Sequence, residues 1–249
     1  TMCGDELEGG LATPEDYGRF ALQLRARGYP AIKLHTWMPP VSFAPSVQTD
    51  LKACAAVREA VGPDFPLMLD ANHWYSRTEA LELGRGIQAL GYYWYEEPMV
   101  EHSTSAYAWL AQQLEIPILG PEIAEGKYHT RAEWIRAGAC DLLRAGVMDV
   151  GGIGPTLKCA HLAESFSMDC EIHGGGPGNL AVLGAIPNGR WYERGLLHPF
   201  LDHDTPPPYL HKLVDEMDDQ GFVAMPNGPG LGEAIHFEYI AAHRVADAS

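Results

Sequence analysis

The chain has 249 residues, a formal net charge of −16 at pH 7 and 46% hydrophobic residues. This length and apolar content suit a single α/β barrel as well as one or two smaller domains. The negative charge argues against nucleic acid or an anionic membrane as a partner, and no apolar run approaches the roughly 18 residues of a membrane span. Five scattered cysteines without CxxC spacing predict reduced, mostly buried thiols and a cytoplasmic protein.

Strand-like and helix-like patterns alternate along the chain. Apolar runs typical of buried parallel strands begin near residues 31, 66, 92, 117, 141, 168 and 190. Helical spacing is predicted before and between them, at 14–28, 47–61, 77–90, 105–114, 130–137, 151–166 and 180–186. The first helix has a clear start, because Thr13 can cap it and Pro14 suits the first helical position. The alternation predicts a (β/α)8 TIM-type barrel, whose functional side chains lie at the C-terminal ends of the strands.

Seven strands leave a closed eight-stranded barrel one strand short. We expect the first strand to lie upstream of this numbering, because residues 1–12 are typical of a loop that leads into a helix, as happens after a first strand. The alternative is that residues 2–4, or part of the C-terminal tail, fill the eighth position. A doubly wound open sheet can use seven strands, but no Gly-rich dinucleotide fingerprint follows a first strand here.

The pattern changes after Glu193. Residues 200–249 are rich in Pro, Gly and acidic residues and are too long and irregular for a barrel loop. We therefore assign residues 1–199 to the barrel, as strands two to eight, and residues 200–249 to a C-terminal extension. This extension is expected to pack on something other than the barrel interior.

Three of the predicted strands end in a carboxylate. The run PLMLD ends at Asp70, YYWYE at Glu96 and IPILGPE at Glu122. Carboxylates at the tips of successive parallel strands point into one mouth, where they repel one another unless a cation lies between them. Three oxygen ligands suit a hard cation such as Mg²⁺. Solvated or helix-capping acids are the alternative, which explains one such residue better than three in step.

The chain resembles the enolase superfamily, specifically the mandelate racemase/muconate lactonizing group. The resemblance rests on the order and spacing of AIKLH, LMLDAN, YWYEEP, PILGPE, DVGGIG, the strand that ends at His173, the WYE tip and the tail NGPGLGEAIHFEYI. It implies a barrel covered by an N-terminal α+β capping domain, to which the C-terminal tail returns. It also implies that Asp70, Glu96 and Glu122 hold Mg²⁺.

The resemblance further implies a shared reaction, the removal of a proton next to a carboxylate to give a metal-stabilised enediolate. Lys33 then matches the lysine that stabilises the growing negative charge on the opposite carboxylate oxygen. His173 matches the base on strand seven. Glu193 matches an acid on the last strand that contacts the substrate carboxylate, and donating a hydrogen bond there requires a protonated side chain with a raised pKa.

Two departures from the family pattern affect the acid–base residues. His35 replaces the second lysine of the pair, a general base in racemases of the group, and it is either a catalytic group or a satisfied polar residue. Gly146 stands where the aspartate that orients the base is expected. Asp149, three residues later, can reach His173 instead; without such an acceptor His173 has an unfixed tautomer and is a poorer base.

Three functions fit these residues, all with a small-molecule carboxylate as ligand. A sugar-acid dehydratase needs only one acid–base histidine, His173, and the polar groups Asn72, His73 and Trp37 near the mouth suit a polyol. A racemase or epimerase needs bases on both faces of the α carbon, for which His35 and His173 are the candidates. A catalytically silent member that binds a sugar acid or serves a scaffold is the third. We also expect a homo-oligomer.

Overall fold

A computed structural model describes residues 1–245 of the chain. Seven parallel strands form one sheet in chain order: β1 (Met2–Cys3), β2 (Ile32–His35), β3 (Leu67–Asp70), β4 (Trp94–Glu96), β5 (Ile118–Gly120), β6 (Leu142–Ala145) and β7 (Cys170–Ile172). The helices of this part of the chain are α1 (Pro14–Ala26), α2 (Val47–Val61), α3 (Arg77–Ala89), α4 (Thr104–Ala111), α5 (Arg131–Arg136), α6 (Val147–Val150), α7 (Ile153–Ser165), α8 (Pro177–Leu183) and α9 (Phe237–Ala242). A short 3-10 helix, Lys127–Thr130, precedes α5. The predicted barrel architecture is confirmed.

The barrel closes through an extended segment, residues 188–197, that lies between β7 and β1. At one end the backbone N–H of Cys170 donates to the carbonyl of Asn188 at 2.7 Å. At the other end Leu197 forms a parallel bridge with Met2. This segment therefore takes the eighth position in the barrel without forming a regular strand.

Two strand predictions are corrected by this arrangement. The prediction that the first strand lies upstream is wrong, because Met2–Cys3 pairs with Leu34–His35 and occupies the position beside β2. A two-residue strand is too short to give a recognisable sequence pattern. The predicted strand at 190–193 is not regular, because the backbone N–H of Trp191 donates to the side chain of Glu171 rather than to a neighbouring strand.

The helix boundaries follow local capping signals. In α1 the Thr13 hydroxyl accepts from the backbone N–H of Asp16 at 3.2 Å, while the Asp16 carboxylate accepts from the backbone N–H of Thr13 at 2.9 Å. The predicted helix at 180–186 begins three residues earlier than expected, since Pro177 suits the first helical position. Apolar spacing along the sequence does not reveal this start, because residues 177–179 do not continue the apolar pattern of the helix.

The barrel interior has an apolar layer below a charged layer. Met68, Trp94 and Leu119 form a buried cluster inside the ring. Alternate residues of a strand point to the same face, so the residue two positions after Met68 and the one two positions after Trp94 are the strand-end carboxylates Asp70 and Glu96. The same two-residue step leads from Ala31 to Lys33 on β2 and from Leu142 to Arg144 on β6. The fold thus brings the charged ends of four side chains into contact above a packed apolar cluster.

The C-terminal tail covers part of the outer surface of the barrel. Met217 bridges to Val223, and Met225 packs over Gly184 at the end of α8. Other apolar tail residues stay exposed, among them Phe222 at 67% and Phe237 at 69%. Whether an N-terminal capping domain covers this surface stays a prediction.

The cysteines and helices agree with the expectations from composition. All five cysteines are unpaired and all but Cys3 are buried. Within residues 1–245, no helix combines the length and the apolar character required to cross a membrane.

Candidate active site

Lys33 lies at the centre of the charged layer. Its Nζ lies 3.2 Å from Asp70 Oδ2, 2.8 Å from Glu96 Oε2 and 2.7 Å from Glu193 Oε1. Burial and the nearby Arg144 favour the neutral amine, but the three carboxylates outweigh them and raise the pKa of Lys33. The side chain is therefore a buried ammonium group that β2 supplies and that stays charged at neutral pH.

Arg144 is the charged residue that sequence analysis missed. It is buried on β6, and its guanidinium Nη2 lies 2.6 Å from both Glu96 Oε1 and Glu193 Oε1. Its Nε lies 3.6 Å from Glu122 Oε2. A basic residue within an apolar barrel strand, such as Lys33 in AIKLH, is a signal that the run DLLRAG carries as well.

Glu193 is ionised, contrary to the expectation of a raised pKa. Burial favours the neutral acid, but Arg144 and Lys33 outweigh it and hold the pKa of Glu193 well below its usual range. The other carboxylate oxygen accepts from the backbone N–H of Gly174 at 2.8 Å. Donors lie next to both carboxylate oxygens of Glu193. The carboxylate therefore positions the side chains of Lys33 and Arg144 and has no proton to donate.

His173 and Asp149 form a hydrogen-bonded pair at the mouth. His173 Nδ1 lies 2.8 Å from Asp149 Oδ2, which fixes the proton on Nδ1 because an ionised carboxylate only accepts. The other ring nitrogen, Nε2, lies 3.3 Å from Glu122 Oε1, and 35% of the His173 side chain is exposed. Burial lowers the pKa of His173, but the hydrogen bond to Asp149 and the charge of Glu122 raise it, and the net shift is upward.

Gly146 is what allows Asp149 to reach the histidine. A Cβ atom at position 146 would lie 2.0 Å from Asp149 Oδ2 and 3.0 Å from the carbonyl oxygen of His173. An aspartate at position 146 and the observed position of Asp149 therefore exclude each other. The absence of a side chain at position 146 therefore makes room for the carboxylate of Asp149, which takes the place of the expected acid.

His35 is tied to a carboxylate of the charged layer. Its Nε2 lies 3.0 Å from Asp70 Oδ2 and 12% of its side chain is exposed. Its Nδ1 is buried without a hydrogen-bond partner. This geometry brings His35 to the predicted carboxylate cluster, with one ring nitrogen in contact with Asp70 and the other buried.

Asn72 and His73 form the turn after β3, with φ angles of +49° and +68°. The backbone N–H of Asn72 donates to Asp70 Oδ1 at 3.1 Å, so the turn holds the strand-end carboxylate in place. His73 Nε2 lies 2.7 Å from Glu97 Oε1. Burial and neighbouring carboxylates raise the pKa of Glu97 to about 12, so this second acid of the EE pair is neutral.

Trp37 is a core residue and not a group at the mouth. Its side chain is 1% exposed. The indole N–H already donates to the carbonyl oxygens of Asp5 at 3.0 Å and Leu11 at 2.9 Å, and Tyr17 packs edge-on against the ring. We therefore reassign Trp37 from substrate binding to anchoring the loop after β1.

Asp50 connects two loops of the site through hydrogen bonds. This buried residue of α2 accepts hydrogen bonds from the hydroxyls of Thr36 and Tyr75, which belong to the loops after β2 and β3. Burial raises the pKa of Asp50 to about 6, although the two hydroxyls lower it. The folded chain therefore holds the Asp50 proton more tightly than the unfolded chain does.

This pKa gives a testable pH dependence of stability. Between about pH 4 and about pH 7 the unfolded chain binds fewer protons at Asp50 than the folded chain, so stability falls as the pH rises. We expect the wild type to lose about 2 kcal/mol of unfolding free energy across this range relative to Asp50→Asn, which does not titrate. Denaturant unfolding at a series of pH values measures this difference. Asp64→Asn, an exposed residue after α2, is the matched control, and equal pH slopes for Asp50→Asn and wild type would contradict the prediction.

The predicted metal ligands fit Mg²⁺ in chemistry and burial but are not drawn together. Asp70, Glu96 and Glu122 are at most 8% exposed, and Glu96 Oε1 and Glu122 Oε2 are buried without a well-directed hydrogen bond. Within the described residues these three do not place one oxygen each within 4.8 Å of one another, as three other groups do. The ammonium group of Lys33 and the guanidinium group of Arg144 lie among these carboxylates. The carboxylate oxygens must therefore move closer to one another before they can share an ion.

A cavity lies to one side of these groups. It has a volume of about 330 Å³ and opens along the seam between the start of β2 and residues 190–197. Lys33 and Glu193 line its inner end, whereas His173 and the proposed metal ligands do not. Its mostly apolar lining does not suit a polyol, so we place the site at the mouth above Asp70 and not in this cavity.

Charged side chains at the carboxyl ends of the strands define this chain as a (β/α)-barrel protein with an acid–base mouth. It belongs to the enolase C-terminal domain-like family, whose family model matches residues 16–239. The resemblance seen in the sequence is thereby confirmed.

Three relatives illustrate the family. A crystallised D-glucarate dehydratase from Agrobacterium tumefaciens, complexed with magnesium, is 66% identical; the match covers 98% of this chain and 64% of that one with a TM-score of 0.97. D-galactarolactone cycloisomerase from Agrobacterium fabrum is 34% identical, with 90% of this chain and 59% of that protein covered. Arabinonate dehydratase from Saccharolobus solfataricus is 35% identical, with 77% and 51% covered. The chain thus spans between half and two thirds of the length of these relatives.

Proposed function

We propose that this chain is the barrel of a Mg²⁺-dependent enzyme that removes the proton next to a carboxylate and dehydrates a sugar acid to a 2-keto-3-deoxy acid. The observation that carries the proposal is His173, whose Nδ1 is held by Asp149 while part of the ring stays open to the mouth. The names of two relatives, D-glucarate dehydratase and arabinonate dehydratase, support the same class of substrate. Both relatives are longer than this chain, which spans 64% of the first and 51% of the second.

Asp70, Glu96 and Glu122 are the residues that would hold Mg²⁺. When bound, the ion supplies a positive charge that stabilises the carboxylate oxygens of a substrate as negative charge develops on them. Lys33 supplies a second positive charge from the protein itself, buried where it acts at low dielectric. Glu193 and Arg144 keep the Lys33 ammonium group in position and charged.

His173 carries the proton in the proposed reaction. Its neutral Nε2 accepts the proton from the substrate α carbon, and the electron pair left behind forms the double bond between the α and β carbons as the β C–O bond breaks. The departing hydroxide takes the same proton back from Nε2 and leaves as water. The enol product rearranges to the 2-keto-3-deoxy acid, and His173 returns to its neutral form.

The racemase alternative requires His35 as a second base on the opposite face of the substrate. His35 Nε2 instead contacts Asp70, and Nδ1 is buried. A catalytically silent protein would have no use for the fixed tautomer of His173. No contact in the site specifically favours the racemase or the catalytically silent protein.

Domain organisation and assembly stay proposals. We infer that residues 1–199 form the barrel and that residues 200–249 pack toward an N-terminal α+β capping domain. The exposed apolar residues of the tail support this, since they resemble a surface that another domain covers. A homo-oligomer stays a prediction.

A panel of sugar acids that includes D-glucarate tests the proposed function. With Mg²⁺ we expect a 2-keto-3-deoxy product, detected as its semicarbazone, and no product when a chelator removes the ion. Proton exchange at the α carbon in D₂O without dehydration would replace the proposal with the racemase reading. Saturable binding with neither reaction would indicate a silent sugar-acid-binding protein.

A further inference from the structure

Two histidines of the C-terminal tail are brought side by side by backbone pairing. The backbone N–H of His211 donates to the carbonyl of Ala234 at 2.7 Å, and that of His236 donates to Tyr209 at 2.8 Å. Between these bonds the chain forms an antiparallel bridge. The imidazole rings of His211 and His236 lie with their centroids 4.4 Å apart as a result.

One of these rings is oriented as a metal-ligating histidine is. His236 Nδ1 lies 3.2 Å from the carbonyl oxygen of Pro208. A carbonyl only accepts, so Nδ1 carries the proton and Nε2 keeps its lone pair. Metal-bound histidines usually fix their tautomer in this way, by donating the other ring N–H to a backbone carbonyl or a carboxylate.

A carboxylate completes the group. Glu238 Oε2 lies 3.8 Å from His236 Nε2, too far for a hydrogen bond, and its side chain is 86% exposed. One ligand atom each from His211, His236 and Glu238 lies within 4.8 Å of the other two. Because Glu238 is free to turn, a small movement brings all three to the distances of about 2.0–2.2 Å that Zn²⁺ requires.

We propose that His211, His236 and Glu238 form a Zn²⁺-type site, with water in the fourth position. Imidazole ligands favour Zn²⁺ over Mg²⁺, whereas the all-carboxylate group in the barrel favours Mg²⁺. The two sites therefore select different ions. A bound ion would join the loop around Tyr209 to the start of α9 and hold the tail in one conformation.

Zinc titration of the whole chain in excess Mg²⁺, followed with a competing chromophoric chelator, tests this site. All proteins carry His173→Asn and His73→Asn, because the other two groups with metal-ligand spacing each contain one of these histidines. We expect one Zn²⁺ bound with a micromolar dissociation constant. His211→Ala and His236→Ala are each expected to weaken binding by at least about tenfold.

The control is His161→Ala, an exposed histidine on α7, which is expected to bind Zn²⁺ as the parent does. Equal affinity in parent, His211→Ala and His236→Ala would overturn the proposal, as would equal losses in all three single-histidine variants. Co²⁺ gives a second readout, since it should show the absorption bands of a tetrahedral site in the parent and lose them in His236→Ala. Bands that persist in His236→Ala would also overturn it.

Discussion

Replacing His173 by Asn is expected to lower the turnover of a sugar acid by about 10²–10⁴-fold, the range that a positioned general acid–base supplies. Asn has nearly the shape of the histidine Nδ1 edge, so it can keep the hydrogen bond to Asp149, but it has no basic nitrogen at the position of Nε2. The loss should therefore appear in kcat. Mg²⁺ affinity, measured by calorimetry, should change little because His173 is not among the proposed carboxylate ligands.

His161→Asn is the matched control for this substitution, because it changes an exposed histidine far along α7 and should leave kcat unchanged. His35→Gln separates the two proposed chemistries. A dehydratase that relies on His173 should keep some activity in His35→Gln, whereas a racemase should lose α-proton exchange from one enantiomer only. A His173→Asn protein that dehydrates at the wild-type rate would remove His173 from the base position.

The positions of the strand-end groups could be predicted from sequence because each obeys a local rule. Asp70 and Glu96 end short apolar runs, and the tips of successive parallel strands lie at one edge of a sheet whatever the details of packing. The pairing of His173 with Asp149 was one of two open possibilities, and the space around Gly146 explains why the acid stands three residues later.

Features that depend on the partner across the barrel could not be predicted in this way. Met2–Cys3 forms a strand only because Leu34–His35 and Leu197 lie on either side of it. The charge of Glu193 depends on Arg144, which is 49 residues away in sequence. Each of these assignments needs the identity of a distant neighbour, which periodicity along one segment does not contain.

Trp37 shows the same limit for a residue type that has two common roles. The sequence-based prediction grouped it with Asn72 and His73 near the mouth, as a polar group that suits a polyol. The loop after β1 instead returns the carbonyls of Asp5 and Leu11 to the indole N–H, so a satisfied hydrogen bond and full burial make it a core residue. To contact a substrate, Trp37 would need an exposed ring edge and an indole N–H without a protein acceptor.

Arg144→Met is expected to lower the unfolding free energy by roughly 3–5 kcal/mol, the cost of leaving buried carboxylates without their cation. The guanidinium contacts Glu96 and Glu193 at 2.6 Å, and Met fills similar space without any charge. Denaturant unfolding of the metal-free protein measures this loss. Arg144→Lys should recover only part of it, since a single ammonium group cannot contact several carboxylates with the forked geometry of Arg.

The matched control is Arg136→Met on α5, whose contact with Glu133 is 3.7 Å long with both side chains 71% exposed. Such a surface pair is worth at most about 1 kcal/mol. Mg²⁺ adds a further test, because an ion bound by Asp70, Glu96 and Glu122 would replace part of the missing positive charge. Saturating Mg²⁺ should therefore stabilise Arg144→Met more than it stabilises the wild type. If Arg144→Met loses no more stability than Arg136→Met, the carboxylates of the mouth do not depend on Arg144 for their charge balance.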